Sequence, residues 1–269
     1  MSGRQTGPRS HADEPAGRPD AEPSRRVAVL PLAATEQHGP HLPATTDVDI
    51  GRGILAVALE ALSGDVPVTV LPMQEVGASE EHRSFPETLS LAPQDLVEII
   101  VRAGSDVAAS GIRRLVLANS HGGNRFAMEA AGLRLRRELG MLVVKAHWFR
   151  FDRPPTVELP DAEWRDGLHG GAVETAMMLH LHPDRVKTDA IENFVSLGSD
   201  LARDLRRLAP EGQASFAWLA EDLHPHGVAG DARLATADMG ARLVRHYGRA
   251  LAEVILDACD FPLARLRAR

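Results

Sequence analysis

The chain has 269 residues, of which 44% are hydrophobic and 4% aromatic, and its formal net charge is −7 at pH 7. This length and aliphatic content predict a folded domain and exclude a largely disordered protein. The acidic balance argues against a nucleic-acid partner. The one cysteine, Cys259, cannot form an intrachain disulfide, and no apolar run is long enough to predict a membrane span. We therefore expect a cytoplasmic protein with no membrane partner.

Residues 1–25 contain four prolines and none of Val, Ile, Leu, Phe, Tyr or Trp. Such a segment cannot bury enough apolar area to offset the entropy lost on ordering, so we predict a disordered N-terminal tail. No linker or internal repeat interrupts the apolar pattern that begins at Val27. One folded domain is therefore predicted over residues 26–269.

Four short apolar runs have the composition of strands that are buried on both faces of a sheet. They span residues 27–32, 66–71, 115–118 and 141–144. Apolar positions at steps of three and four residues predict helices over 49–62, 93–110 and 124–139, and a long C-terminal helix that includes 239–255. This β-α-β-α order with right-handed crossovers predicts an α/β fold, with a mostly parallel central sheet and helices on both faces.

Polar residues follow the first predicted strand, at the end of the sheet where ligands bind in such folds. Glu36 and His38 are two residues apart, so in an extended segment both side chains leave the same face and can reach one ion. Asp47 lies at the start of the next helix, where the chain returns to the strand end. The alternative is that Glu36 and His38 are solvated and that Asp47 is a simple helix N-cap.

Two further turns carry similar residues. The third strand ends in NSHGGN, which contains His121, Gly122 and Gly123, and a later helix opens with HGGAVET, which contains His169 and Glu174. Glycines permit close backbone approach, and an imidazole at a strand end suits a metal ligand or a general base. The alternatives are a tight turn with a hydrogen-bonded histidine, and a glutamate that merely favours the helix dipole.

These turns together offer a set of imidazoles and carboxylates without a thiolate: Glu36, His38, Asp47, His121 and Glu174. Such ligands suit Zn, Mn or Fe, and three carboxylates exceed what one structural zinc ion needs. Two divalent ions with one bridging carboxylate are therefore expected. Ions about 3.5–4 Å apart can generate hydroxide near neutral pH and polarise a carbonyl, which is hydrolytic chemistry.

The sequence resembles the creatininase (creatinine amidohydrolase) family of metal-dependent amide hydrolases over about residues 26–260. The resemblance rests on TEQHGPHLP at 35–43 with Asp47, on NSHGGN and HGGAVET, and on EHRSFPETL at 81–89. It implies a three-layer α/β/α sandwich, a binuclear metal site, hydrolysis of a cyclic or linear amide, and a homo-oligomer, often a hexamer.

The resemblance also implies roles for single residues. Glu36, His38, the bridging Asp47 and His121 are expected to be metal ligands, with Glu174 as a further one. His169 is expected to donate a proton to the departing nitrogen. We expect His82, Gly122 and Gly123 to contact substrate, although His82 could equally be an ordinary surface histidine.

Gly123 departs from the family's namesake, which has a carboxylate at that place. This difference predicts more open space beside the second ion than a compact cyclic urea requires. We therefore expect a hydrolase that cleaves a C–N amide bond of a small or peptide-like substrate, other than a typical peptide bond, by metal-bound hydroxide. It would use two divalent ions, Zn or Mn, with Fe as an alternative. The rival functions are creatininase proper, which converts creatinine to creatine, a mycofactocin-type precursor-peptide peptidase, and a non-catalytic metal-stabilised scaffold.

Overall fold

The computed structural model describes residues 25–64 and 66–267. At its centre four parallel strands form a sheet in the order β2-β1-β3-β4. These strands are β1 (Val27–Leu32), β2 (Val68–Val70), β3 (Arg114–Asn119) and β4 (Leu142–His147). The parallel central sheet was predicted and is confirmed. The tail predicted over residues 1–25 lies outside the described residues apart from Arg25.

Helices cover both faces of this sheet, which confirms the three-layer α/β/α sandwich. They are α1 (Thr46–Ala61), α2 (Pro93–Ala109), α3 (Arg125–Leu139), α4 (Asp161–Asp166), α5 (Ala172–Leu181), α6 (Leu197–Asp204), α7 (Ala220–Leu223) and α8 (Ala237–Asp260). Val29 of β1 belongs to the core formed with α1, α5 and α8, and its neighbour Leu30 belongs to the core formed with α2 and α3. The continuous apolar run of β1 follows from this burial on both faces.

Several element boundaries differ from the predictions, and β4 ends at His147 rather than at residue 144. Helix α1 begins at Thr46 rather than at residue 49, because the Thr46 hydroxyl donates to the Pro43 carbonyl at 2.7 Å. Asp47 and Asp49 then lie in the first turn, where a carboxylate is stabilised by the helix dipole but adds nothing to an apolar pattern. Strand β2 is shorter than the predicted 66–71, because it is an edge strand that pairs only with β1 within the described part of the sheet.

The chain between β4 and α8 contains several short elements that apolar periodicity does not detect, since each is too short to repeat the pattern. Besides α4, α6 and α7, they are the strands β5 (Asn193–Phe194), β6 (Leu208–Ala209), β7 (Ala214–Ser215) and β8 (Gly230–Asp231). Strand β5 pairs antiparallel with β8, and β6 pairs parallel with β7. Within the described residues, no helix is both long and apolar enough to cross a membrane.

Candidate metal centre

The residues predicted as ligands converge at the carboxyl edge of the sheet. Glu36 and His38 follow β1, Asp47 lies in the first turn of α1, His121 follows β3, and Glu174 lies in the first turn of α5. All but Glu174 are almost fully buried, and the Glu174 side chain is 13% exposed. The strand-end argument therefore predicted the location of this cluster.

Hydrogen bonds from the β3 turn fix this edge of the sheet. The Ser120 backbone donates to the Leu32 carbonyl at 2.9 Å, and the Ser120 hydroxyl donates to the Asp47 carbonyl at 2.8 Å. The buried Asn124 amide donates to the Ala33 carbonyl at 3.1 Å. The end of β1, the start of α1 and the turn after β3 are thereby held together by one backbone and two side-chain donors, all of which bind backbone carbonyls.

Asp47 lies between two histidines. Its Oδ1 is 3.7 Å from Nε2 of His38, and its Oδ2 is 3.3 Å from Nδ1 of His121. Glu174 Oε2 lies 3.9 Å from the same nitrogen of His38, and Glu36 Oε1 lies 3.1 Å from the same nitrogen of His121. Two half-sites therefore share Asp47: one with His38 and Glu174, the other with His121 and Glu36.

In both histidines, the ring nitrogen that faces away from Asp47 donates a hydrogen bond to a backbone carbonyl. His38 donates through Nδ1 to the Glu36 carbonyl at 2.9 Å, and His121 donates through Nε2 to the Ala78 carbonyl at 3.0 Å. A neutral imidazole that donates through one nitrogen has a lone pair on the other. Each ring therefore presents a bare nitrogen to carboxylates, an arrangement that needs either a cation between them or a second ring proton.

The pKa values of these side chains express the same requirement for a balancing positive charge. Burial disfavours the charged form of His38, but the hydrogen bond and charge of Asp47, with Glu174, outweigh it and raise the pKa of His38 to about 9. Burial likewise opposes the charge on His121, yet Glu36 and Asp47 raise its pKa well above the usual range. Burial raises the pKa of Glu174 to about 7 against the opposing charge of His38.

Three buried polar atoms in this cluster have no hydrogen-bond partner within the described structure: Glu36 Oε2, His38 Nε2 and Asp47 Oδ2. Buried polar atoms without partners are costly and call for an explanation. In the described part of the chain, every ion-pair partner of Glu36, Asp47 and Glu174 is a histidine, and no lysine or arginine neutralises them. Nitrogen and oxygen acceptors that lack a proton suit divalent zinc or manganese.

The ring of His169 lies between His38 and His82, with ring centroids 4.1 Å and 4.3 Å away. Its Nε2 donates to the Gln37 carbonyl at 2.7 Å, so the lone pair is on Nδ1, which lies 3.7 Å from Glu36 Oε1. Burial, with the neighbouring charge of His38, lowers the pKa of His169 well below its usual range. His169 is therefore a neutral imidazole whose bare Nδ1 faces the centre.

Gln37 also fixes the proton of His82. The Gly39 backbone donates to Gln37 Oε1 at 2.8 Å, which leaves the amide nitrogen of Gln37 to donate to Gly227 and, at 2.9 Å, to His82 Nδ1. The proton of His82 must then lie on Nε2, 3.6 Å from Glu36 Oε1. Burial lowers the pKa of His82 to about 4. The alternative of an ordinary surface histidine is wrong, because His82 is 2% exposed.

The surroundings of Gly123 contradict the expectation of open space there. A Cβ atom on Gly123 would lie 2.5 Å from His121 Nε2 and 2.7 Å from Glu81 Oε1, and closer still to the Ala78 carbonyl. Gly122, by contrast, has no such neighbour within 4 Å.

A further carboxylate, Glu81, also lies near His121. No role was predicted for Glu81 from the sequence, although it directly precedes His82 in the motif EHRSFPETL. It lies 3.7 Å from His121 and groups with Glu36 and His121 as possible ligand atoms.

Comparisons with known proteins identify the family of this chain. The creatininase family model, described as creatinine amidohydrolase, matches residues 18–255. The mycofactocin precursor peptide peptidase of Mycolicibacterium smegmatis is 34% identical over 219 residues, which cover 81% of this chain and 79% of that protein. The creatinine amidohydrolase of Pseudomonas putida is 32% identical over 181 residues, covering 61% and 68%.

Among solved structures, a mutant creatininase of Zn-Zn type superposes with a TM-score of 0.67 at 26% identity. The match covers 88% of this chain and 92% of that one. The family model spans most of the chain, and the named relatives cleave C–N amide bonds. The chain therefore belongs to the creatininase family of hydrolases that act on such bonds.

Proposed function

We propose that this chain is a metal-dependent hydrolase that cleaves a C–N amide bond of a peptide-like substrate at a centre of two divalent ions around Asp47. The observation that carries the proposal is that the two oxygens of Asp47 face ring nitrogens of different histidines, His38 and His121, whose opposite nitrogens donate to backbone carbonyls. A single structural ion would not need a carboxylate shared between two half-sites.

The residues of each half-site would hold one ion, either zinc or manganese, with iron as the alternative. His38, Asp47 and Glu174 would hold the first, and Asp47, His121 and Glu36 the second. When bound, the ions would supply a Lewis acid for the carbonyl oxygen and lower the pKa of water. The atoms without hydrogen-bond partners support this assignment, because each would gain a ligand bond.

His169 is suited to both proton transfers of the reaction, because the same atom, Nδ1, can accept a proton and later donate it. Its Nδ1 can accept a proton from the attacking water, since the ring is neutral, and can then give that proton to the departing nitrogen. The Gln37 carbonyl holds the opposite nitrogen, so the ring does not need to turn between the two steps. His82 would donate from Nε2 to the substrate, because Gln37 blocks its other nitrogen. Gly122 and Gly123 remain predicted substrate contacts.

Asp47→Asn tests the shared carboxylate. The amide removes the charge that both half-sites need, so bound metal should fall well below that of the wild type, measured by elemental analysis after dialysis against limiting zinc or manganese. His226→Ala is the control, because His226 is exposed and lies outside the centre. Equal metal content in the wild type and in both variants would sink the assignment of Asp47.

A peptide-like substrate is supported by the similarity to the mycofactocin precursor peptide peptidase. The rival is creatininase proper, favoured by the Pseudomonas relative. Turnover of creatinine and of peptide amides by zinc- and manganese-loaded protein separates them. Creatinine hydrolysis at an ordinary enzymatic rate, about 1–10³ per second, would move the assignment to creatininase. Bound metal without hydrolysis of any amide would favour the non-catalytic scaffold.

The homohexamer stays a prediction, and analytical ultracentrifugation would test it.

A further inference from the structure

Glu163 on α4 is a buried carboxylate, 7% exposed, whose partners are backbone groups. Its Oε1 accepts from the Ala172 backbone at 2.7 Å, and its Oε2 accepts from the Asp231 backbone, also at 2.7 Å. Both oxygens of one side chain therefore join two segments that are far apart in sequence. Hydrogen bonds that a charged carboxylate accepts are about twice as strong as neutral ones.

Three glycines surround this carboxylate. A Cβ atom at Gly171 would lie 2.6 Å from Glu163 Oε1, one at Gly230 would lie 2.7 Å away, and one at Gly167 would be closer still. Real side chains do not tolerate contacts this short. The carboxylate therefore occupies a space that exists only because these three positions lack side chains.

The two segments that Glu163 joins are those that flank His169. Ala172 is the first residue of α5, the helix that carries Glu174 in its first turn. Asp231 lies in β8, just after Ala229, whose backbone donates to the His169 carbonyl at 2.8 Å and accepts from the His169 backbone at 3.4 Å. One carboxylate thus fixes the turn that contains His169 from both of its sides.

We propose that Glu163 is a positioning residue that sets His169 and Glu174 against the sheet edge. This inference rests on the roles proposed above for those two residues. Within the described residues, the carboxylate of Glu163 accepts hydrogen bonds from the Ala172 and Asp231 backbones and not from a proposed ligand, so it would act through the backbone of the segments that flank His169. Glu36 and His121 of the other half-site follow strands β1 and β3, so their positions should not depend on Glu163.

Glu163→Gln keeps the shape of the side chain but replaces one acceptor by an N–H group that faces a backbone N–H. We expect kcat to fall about 10–100-fold, the range for residues that orient a metal site, with KM nearly unchanged. Affinity for one of the two ions should fall by a similar factor, and the other ion should be retained. Glu158→Gln, on an exposed residue nearby, is the matched control. Wild-type kcat and metal affinity in folded Glu163→Gln would overturn the proposal.

Hydrogen–deuterium exchange of the metal-free protein tests the positioning without any activity. Residues 168–175 and 229–232 should exchange faster in Glu163→Gln, while residues 114–121 on the sheet keep their protection. Faster exchange throughout the chain would instead mean a general loss of stability and would overturn the inference. If the wild type binds no metal and cleaves no amide, the proposed function fails, yet the exchange result still decides whether Glu163 holds the turn.

Gly171→Ala provides an independent test. Its backbone, with φ −77° and ψ −163°, suits any residue, and the closest obstacle is the Glu163 carboxylate. The substitution should lower kcat in the wild-type background but have little further effect in a Glu163→Ala background. Equal fold-losses of kcat in both backgrounds would contradict the proposed contact.

Discussion

The two sides of the centre are built differently. Glu36, His38, Asp47 and His121 stand on strand ends and on the first turn of a long helix, held by backbone hydrogen bonds such as that from Ser120 to Leu32. His169 lies in the turn before α5 and Glu174 lies in the first turn of that helix, where the short elements α4 and β8 support the chain.

The difference teaches that the residues at the sheet edge are fixed mainly by the central sheet and by α1, whereas those beside the turn depend more on contacts with short elements and single side chains. Glu174 accepts from the Gly170 backbone at 2.7 Å, and His41 donates to the Gly170 carbonyl at 3.1 Å. The His41 side chain is buried, and its contacts with Gly170 and Thr175 place it behind the turn. Chemistry that needs motion or proton transfer is therefore expected on the turn side.

The largest effect should come from His169→Ala. Loss of the residue that moves the proton should lower kcat by about 10²–10⁴-fold while bound metal stays at the wild-type level. Steady-state kinetics and elemental analysis on one preparation measure both. Loss of metal in this variant would instead make His169 a ligand and would remove the distinction between the two sides.

Gly123→Ala tests how closely the sheet side is packed. The added methyl group would overlap the Ala78 carbonyl and His121, so we expect a loss of about 1–3 kcal/mol in the free energy of unfolding, with weaker metal binding. Urea unfolding measures the first effect and metal titration the second. Gly122→Ala is the matched control, because its Cβ would meet open space. Equal behaviour of the two variants would show that the site is open at Gly123 after all.

The burial of His41 predicts how the stability of the protein depends on pH. Burial lowers the pKa of His41 to about 4, below the ordinary 6.5, so the unfolded chain binds this proton more readily than the folded one. The stability that His41 provides is full above pH 6.5 and is lost as the pH falls toward 4. Between pH 7 and pH 5 the metal-free wild type should lose about 2 kcal/mol more than His41→Asn in urea unfolding. Parallel pH profiles would contradict the lowered pKa.

Sequence patterns predicted the parts of the molecule whose signals are local. The apolar runs of β1 and β3, the stripe of α2 and the strand-end positions of Glu36 and His121 follow from periodicity and topology alone. The contribution of Glu163 could not be predicted, because it depends on three glycines that converge only after folding. Glu81 likewise has no spacing that relates it to His121. The open space expected at Gly123 failed because a missing side chain can be replaced by neighbours from another loop.

Gln37 gives the hydrogen-bond network of the centre a direction. One end of its amide only accepts and the other only donates. The Gly39 backbone therefore donates to Gln37, Gln37 donates to His82, and the remaining N–H of His82 lies near Glu36. A glutamate at position 37 would have the same size but no such polarity. Its carboxylate would accept a hydrogen bond from His82 Nδ1, so the ring proton would lie on Nδ1 and a lone pair would replace the donor at Nε2. The amide of Gln37 thus decides whether Nε2 of His82 is a hydrogen-bond donor or an acceptor nitrogen.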